Sequence, residues 1–174
     1  TGTAEGNSWI TVKRNGTTIG ESYADSDGSF SVWVDDNVLK VDDVIEVTAS
    51  DNHGNASEPT TVTVKDITSP GPPEINHNTI DEFTKNITGK TEPYAQVHVY
   101  LNDKEIGSSQ AMENGVFSVS IPQQKAGATL KVTATDKYGN VSPSSSVYVY
   151  DMTPPITPVV NKVTDQSTSI TGIS

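Results

Sequence analysis

Oxygen-bearing side chains carry most of the chemistry this sequence offers. Residues 49–57, ASDNHGNAS, return as ATDKYGNVS at 134–142, so an Asp-x-x-Gly-Asn loop stands twice, led by Asp51 and by Asp136. Each loop is followed at a similar distance by another acid, Asp66 in DITSP and Asp151 in DMTPP. Calcium takes six to eight hard oxygen ligands from carboxylates, amides, backbone carbonyls and water. Carboxylates converging from separate segments repel one another unless a cation joins them. Asp66, Glu92, Asn114 and Asp136 therefore form a candidate calcium set, with Glu5, Asp25, Asp27 and Asp51 as its counterpart one repeat earlier. The competing reading is local: Asp can accept backbone N–H groups in such a loop, Gly and Asn tolerate positive φ, and the segment is then a hairpin turn. Neither loop matches the continuous Asp-x-Asp-x-Asp-Gly calcium pattern. DSDG at 25–28 comes nearer, but its later counterpart MENG at 112–115 loses two carboxylates, which reads as a polar turn first and an extra ligand second.

Other chemistries find little support. The sequence has no cysteine and three histidines, His53, His77 and His98. Nucleophilic catalysis needs a base beside a nucleophile, and a zinc site needs three or four ligands. His53 aligns with Tyr138 in the repeat and no Gly-x-Ser-x-Gly elbow occurs, so the chain is expected not to be an enzyme. A Lys–Asn cross-link would need a buried lysine, and every lysine falls on an expected wet face or loop. Trp9 and Trp33 are candidates for ligand contact, since exposed indoles stack on sugars or anchor protein partners. They are expected on different sheets, which argues against a single platform.

The elements that must position these residues are short strands. The 174 residues are rich in Ser, Thr, Val, Asn, Asp and Gly, with alternating apolar segments between turn residues, which is the pattern of an all-β sandwich. Eleven basic against 22 acidic residues give a net charge of −11, which disfavours nucleic acid and anionic lipid as partners. No apolar run has membrane-spanning length and no signal peptide is recognisable; a start at Thr1-Gly2 reads as a piece of something longer.

The text repeats throughout. TGTAEG at 1–6 returns as TGKTEP at 88–93 and starts again as TGIS at 171–174; NGTTIG at 15–20 returns as NDKEIG at 102–107; DGSFSVWV at 27–34 returns as NGVFSVSI at 114–121. A period of about 85 residues suits a string of small β-domains rather than a solenoid. In the middle copy, alternation assigns strands at 74–78, 87–91, 95–102, 104–111, 116–121, 128–136 and 145–150. Val97, Val99, Phe117, Val119, Ile121, Leu130, Val132 and Ala134 face inward on this reading. Tracing the strands up and down brings the loops bearing Glu92, Asn114 and Asp136 to one end, beside the incoming linker.

This frame, TG-x-x-[EP] through A-x-V-x-V, IG, DG-x-F-S-V, VTA-[ST]-D-x-x-GN-x-S and D-x-T-x-P, resembles the bacterial immunoglobulin-like (BIg) domains found in tandem in large bacterial surface adhesins. The resemblance covers nearly the whole chain. It implies tandem immunoglobulin-like antiparallel sandwiches, an extracellular or cell-surface location, a stalk or spacer role, and, in some such arrays, calcium at or near domain junctions. The competing class is a ligand- or carbohydrate-binding accessory module of a secreted multidomain protein.

The frame sets three expected segments: 1–66, a sandwich without its first strand; 67–151, a complete one; and 152–174, the first strand (157–163) and the start of the second of a third. A cut at the same point of two repeats accounts for this. So does a swap in which 157–163 completes the first unit of another copy head-to-tail, bringing Asp151 to Glu5, Asp25, Asp27 and Asp51 in trans. Neighbouring immunoglobulin-like repeats are the expected partners, and a host or surface receptor is not named by the sequence.

Overall fold

A computed structural model of the chain describes residues 1–76 and 80–173. Among them every regular element is a strand, and no helix is long and apolar enough to cross a membrane. The chain divides into two compact units, Thr1–Thr68 and Ser69–Ser174.

The first unit contains β1 (Gly2–Thr3), β2 (Trp9–Arg14), β3 (Thr17–Tyr23), β4 (Ser29–Phe30), β5 (Val44–Ser50) and β6 (Thr60–Thr63). The strands β3-β2-β5-β6 form one antiparallel sheet, and β1 pairs with β4 in the other layer. The core is Ile10, Val12, Ala24 and Ile45, with Phe30, Val32 and Val47 packed half-buried against it. Phe30, Val32 and Val34 alternate inward in sequence, as Phe117, Val119 and Ile121 do in the second copy. In the structure the first copy's ladder is limited to Ser29–Phe30, paired with Gly2 and Thr3 of β1.

The second unit contains β7 (Glu74–Ile75), β8 (Asn86–Lys90), β9 (Gln96–Leu101), β10 (Lys104–Gln110), β11 (Val116–Ser120), β12 (Thr129–Thr135) and β13 (Ser145–Tyr148). They make two sheets, β11-β8-β7 and β10-β9-β12-β13. The period-two pattern turns one face of each strand inward. Ile87, Phe117 and Val119 meet Val97, Val99, Leu130, Val132 and Val147, all at most 1% exposed. Burying each such side chain stabilises by about 1.5–3 kcal/mol relative to leaving it in water. The β9–β10 hairpin turns on Asn102 and Asp103, both at positive φ (49° and 62°), as a two-residue loop between twisted strands requires. The expected first strand is short: Asn76 continues it through its N–H to the Thr88 carbonyl (2.9 Å), and residues 77–79, His77 among them, lie outside the described residues.

Beyond 151, β14 (Val159–Val160) pairs antiparallel with β15 (Gly172–Ile173). The pairing repeats that of β7 with β8, down to the side-chain bond: Asn76 donates to the Thr88 hydroxyl (3.3 Å) and Asn161 to that of Thr171 (2.9 Å).

Candidate functional site

In the second unit the three candidate loops do share one end of the sandwich. The 91–95 and 111–115 loops are laced by Thr91 N–H to Gly115 O (2.9 Å), Tyr94 N–H to Met112 O (3.4 Å) and Ala111 N–H to Ala95 O (2.9 Å). The 136–140 loop stands beside them because Thr135 pairs with Gln96. Gly71 and Pro72 of the incoming segment line a cleft with Lys90, Thr91 and Glu92. Glu92, Asn114 and Asp136 are thus brought to one end; Asp66 belongs to the first unit.

The chemistry at that end is dominated by loop closure. Asp136 Oδ1 accepts the N–H groups of Tyr138 and Asn140, both at 2.8 Å, and its Oδ2 accepts the Asn140 side-chain amide at 2.8 Å. Gly139 sits at φ 91°, which L side chains rarely adopt. Partial burial alone would raise the Asp136 pKa, but the bonds from Asn140 and Tyr138 outweigh it and hold the carboxyl below its ordinary value. Behind the loop, Ser142 Oγ accepts the N–H of Ala134 (2.8 Å) and donates to the Pro143 carbonyl (2.8 Å), while the Ser142 N–H returns to Ala134 O (2.8 Å). Asn114 Oδ1 takes the N–H of Val116 (3.1 Å), and the Glu92 carbonyl takes that of Ala95 (3.2 Å).

The first unit repeats the wiring. Asp51 accepts from His53 N–H (2.8 Å), Asn55 N–H (2.9 Å) and the Asn55 amide (2.7 Å), and Ser57 Oγ takes the N–H of Ala49 (3.1 Å). The Asn55 side chain is the main reason the Asp51 carboxyl lies below its ordinary value. Asp27 Oδ1 accepts both the N–H (2.9 Å) and hydroxyl (2.7 Å) of Ser29, and that backbone bond chiefly depresses its pKa. The same hydroxyl lies 3.4 Å from Asp25 Oδ2. Glu5 holds its loop through its carbonyl, which Ser8 meets with N–H (3.2 Å) and Oγ (2.7 Å). The two linker acids behave alike: Asp66 Oδ1 accepts Thr68 N–H (2.8 Å), and Asp151 Oδ1 accepts Thr153 N–H (2.9 Å). Among the described residues, no group of three or more His, Cys, Asp or Glu side chains gathers closely enough to hold a metal ion. An ionised carboxylate has about four acceptor positions, and the three bonds at Asp136 and at Asp51 occupy most of them.

The tryptophans lie on different elements. Trp9, on the outer face of β2, packs edge-on against Tyr23 of β3 with ring centroids 4.5 Å apart, and its Nε1–H points to Glu21 Oε1 at 3.4 Å. Trp33 lies beyond β4 and is 82% exposed. Sequence reasoning missed Tyr23 and Glu21, although alternation along 17–23 puts both on the face of Trp9. It also missed Ser57 and Ser142, whose signal was the repeated serine two residues after each Gly-Asn. His98 makes a pair with Glu105 (3.0 Å) on the outer face of the second unit, and its ring stacks on Tyr100 with centroids 6.1 Å apart.

Two antiparallel layers, inward-alternating strands and a wiring diagram that recurs from one unit to the next define tandem immunoglobulin-like sandwiches. The family model for bacterial Ig domains matches residues 1–66 and 71–151, and the chain belongs to that family. The chain is 30% identical over 149 residues to a cell wall-associated protease of Bacillus subtilis (strain 168), a match covering 85% of this chain and 16% of that protein. Among solved structures it is similar to a BSP domain of a biofilm-associated protein (TM-score 0.44, 22% identity, 87% of this chain and 26% of that one). It is also similar to an amphioxus IgVJ-C2 molecule (TM-score 0.39, 12% identity, 84% of this chain and 91% of that one).

Proposed function

We propose that this chain is a run of structural repeats, a stalk or spacer within a bacterial cell-surface or secreted adhesin, without catalysis of its own. One observation carries the reading: the polar residues that recur between the two units are engaged in closing their own loops, in the same way in both. A surface built this way gives rigid sandwiches, and the proline-containing segments 66–73 and 151–158 restrict backbone rotation between them. The family match and the cell-wall naming of the Bacillus relative support a location outside the cytoplasm.

Junction calcium is the finer part of the proposal. Its ligands would be Asp66, Glu92 and Asp136, with Asn114 in support, and Asp136 would share its carboxylate with bonds it already makes. Thermal unfolding in calcium and then in chelator tests this. A rise in melting temperature with calcium that Asp66→Ala, Glu92→Ala and Asp136→Ala abolish supports the ion; identical melts leave stiffness to turns and prolines alone. X-ray scattering from the full chain tests the spacer itself, since particles in which the units fold back on one another would overturn it.

Head-to-tail strand exchange is proposed on the likeness of β14 to β7, and it requires β14 to leave its own partner β15 and Asn161 to leave Thr171. A 157–163 segment from a second copy would lie against Gly2–Thr3 as β7 lies against β8, with Asn161 reaching Thr1. Concentration-dependent oligomers, lost in Val160→Asp, support it, and a strict monomer refutes it. A second functional reading, a glycan-binding accessory module, is favoured by the Trp9–Tyr23 pair with Glu21 beside it. Glycan binding that disappears in Trp9→Ala would select that reading.

A further inference from the structure

The turn joining β7 to β8 holds a side chain whose partners lie about 70 residues away. Residues 80–84 read Ile-Asp-Glu-Phe-Thr. The turn is locked from within. Thr84 N–H bonds to Asp81 O (3.1 Å), Thr84 Oγ1 accepts the N–H of Asp81 (3.0 Å) and donates to Asp81 Oδ1 (2.9 Å), and Phe83 N–H meets the same oxygen (3.0 Å). Glu82 at its apex is fixed in place. Its carboxylate accepts the N–H of Met152 on both oxygens, at 3.2 and 3.0 Å, and the hydroxyl of Thr153 on Oε1.

Those partners belong to the segment by which the chain leaves the middle sandwich. β13 ends at Tyr148, and Pro154 and Pro155 follow Thr153. The backbone of the same turn takes the preceding residue: Tyr150 N–H bonds to Ile80 O (2.8 Å), and Asp81 and Tyr150 form a parallel bridge. Residues 150, 152 and 153 are therefore tied to one locked turn, although no ladder continues there. An exposed segment outside a sheet would otherwise give its N–H groups to water and move freely.

We infer that Glu82 is a positioning residue for the exit segment, setting the direction in which the chain leaves the middle unit. The inference rests on the spacer reading and gives it a mechanism. Proline fixes φ only relative to the residue before it, so a stiff linker needs a fixed starting direction, and Glu82 supplies it through Met152 and Thr153. The turn, though not the exit-segment contact, recurs in the next copy. Thr164 N–H meets Ser167 Oγ (2.9 Å) and Ser167 N–H meets Thr164 O (3.0 Å), in the same turn, with Asp165 where Glu82 stands. The Thr153 hydroxyl, and after it the Met152 N–H, keep the Glu82 carboxyl below its ordinary range, so it is the ionised acceptor at neutral pH.

The test is amide hydrogen exchange by NMR on the full chain, wild type against Glu82→Ala, Glu82→Gln and Thr153→Ala. The Met152 amide is the reporter, and the Tyr150 and Val132 amides are internal controls. In Glu82→Ala, Met152 exchange should rise tenfold or more with the controls unchanged. Glu82→Gln, which keeps one side-chain carbonyl as acceptor, should fall between, and Thr153→Ala should give a smaller rise. Unchanged Met152 exchange in Glu82→Ala overturns the inference. So does a rise spread equally over Tyr150 and Val132 in both Glu82 variants, which would make Glu82 a residue of global stability. Either failure would leave the spacer reading standing, because that reading is judged by particle dimensions and not by this amide.

Discussion

Replacing Ser142 and Ser57 separately by alanine asks one question of two copies of the same bond. Each serine hydroxyl accepts the N–H of the alanine eight residues earlier, at 2.8 Å from Ala134 and 3.1 Å from Ala49. The surroundings differ. Ser142 is 6% and Ala134 0% exposed, whereas Ser57 is exposed and Ala49 half-buried. Removing the Ser142 hydroxyl leaves a buried N–H without an acceptor, which costs about 1–3 kcal/mol. For a unit of this size that lowers the melting temperature by about 10 °C. At Ser57 water can take the hydroxyl's place, so the loss should stay below about 1 kcal/mol, or less than about 5 °C. The two units can be followed separately in the intact chain. Both tryptophans, Trp9 and Trp33, lie in the first unit, so indole fluorescence reports its unfolding. Tyr94, Tyr100, Tyr138, Tyr148 and Tyr150 lie in the second and Tyr23 alone in the first, so near-ultraviolet dichroism of tyrosine, recorded in a Tyr23→Phe background, reports the other. Equal shifts for the two variants, or a Ser142→Ala melt within about 2 °C of wild type, would refute the assignment of the cost to the buried N–H.

Phe117→Ala should cost the second unit about 3–5 kcal/mol, because Phe117 is 1% exposed, and the half-buried Phe30→Ala clearly less in the first; urea titrations of the two signals measure both. Gly139→Ala meets no atom within 4 Å of its new Cβ, so its cost is backbone strain at φ 91°, about 1–2 kcal/mol, and Gly54→Ala at φ 85° should match it. Unequal losses at the two glycines would show that packing enters as well. Asp27, Asp51 and Asp136 have folded pKa values below the ordinary 3.8, so their ionised forms bind the folded state better. The stability they lend is complete above the unfolded value and is lost as pH falls through 3.8 and on through the folded values. Melting temperature should therefore fall between pH 5 and pH 2, a window set by that ordering, and the slope for the second unit should be shallower in Asp136→Asn; an unchanged slope would refute the role of that carboxylate.

Much of the fold was legible because a two-layer sandwich enforces alternation. Val97, Val99, Leu130 and Val132 must share a side with Phe117 and Val119, and the period-two pattern says so without coordinates. The turn between the expected strands 95–102 and 104–111 was legible from their close spacing, and the structure places Asn102 and Asp103 there at positive φ. The ends of strands were less readable. The expected strand 145–150 leaves its ladder after Tyr148, and Tyr150 N–H turns to Ile80 O, a partner that the strand's own residues do not encode. At the candidate site, the sequence located the loops correctly at one end of the second unit but left the use of their oxygens open. A carboxylate that ligates a cation and one that closes an Asx turn use the same residue at the same spacing. What the structure adds is occupancy: Asp136 and Asp51 each hold three donors from their own loops. Glu82 was not legible, since nothing near it in sequence points to Met152.

The repeat also shows where a function particular to one unit would lie. In the two copies of Ala-[Ser/Thr]-Asp-x-x-Gly-Asn-x-Ser, the kept positions are the ones with internal duties: the alanine N–H, the Asp acceptor, the Gly at positive φ, the Asn donor and the Ser hydroxyl. The positions between them vary, His53 against Tyr138 and Ala56 against Val141, and at 53 and 138 the loop is closed by the backbone N–H, which any side chain but proline's leaves in place. Repetition here marks what every sandwich requires, so it is weak evidence of binding. Unit-specific recognition has to use residues the repeat does not keep. On that criterion the outer face of the first unit stands apart, because Trp9 and Tyr23 are replaced in the second by Gln96 and Gln110, a pair with no ring to stack. The second unit carries its own rings elsewhere, His98 stacked on Tyr100 (6.1 Å) and Tyr148 edge-on to Tyr150 (5.0 Å), so a ligand that needs the Trp9–Tyr23 pair should bind the first unit and lose that binding in Trp9→Ala while Tyr148→Ala leaves it unchanged. Binding by both units alike would place recognition in the shared scaffold and remove the reason for singling out Trp9.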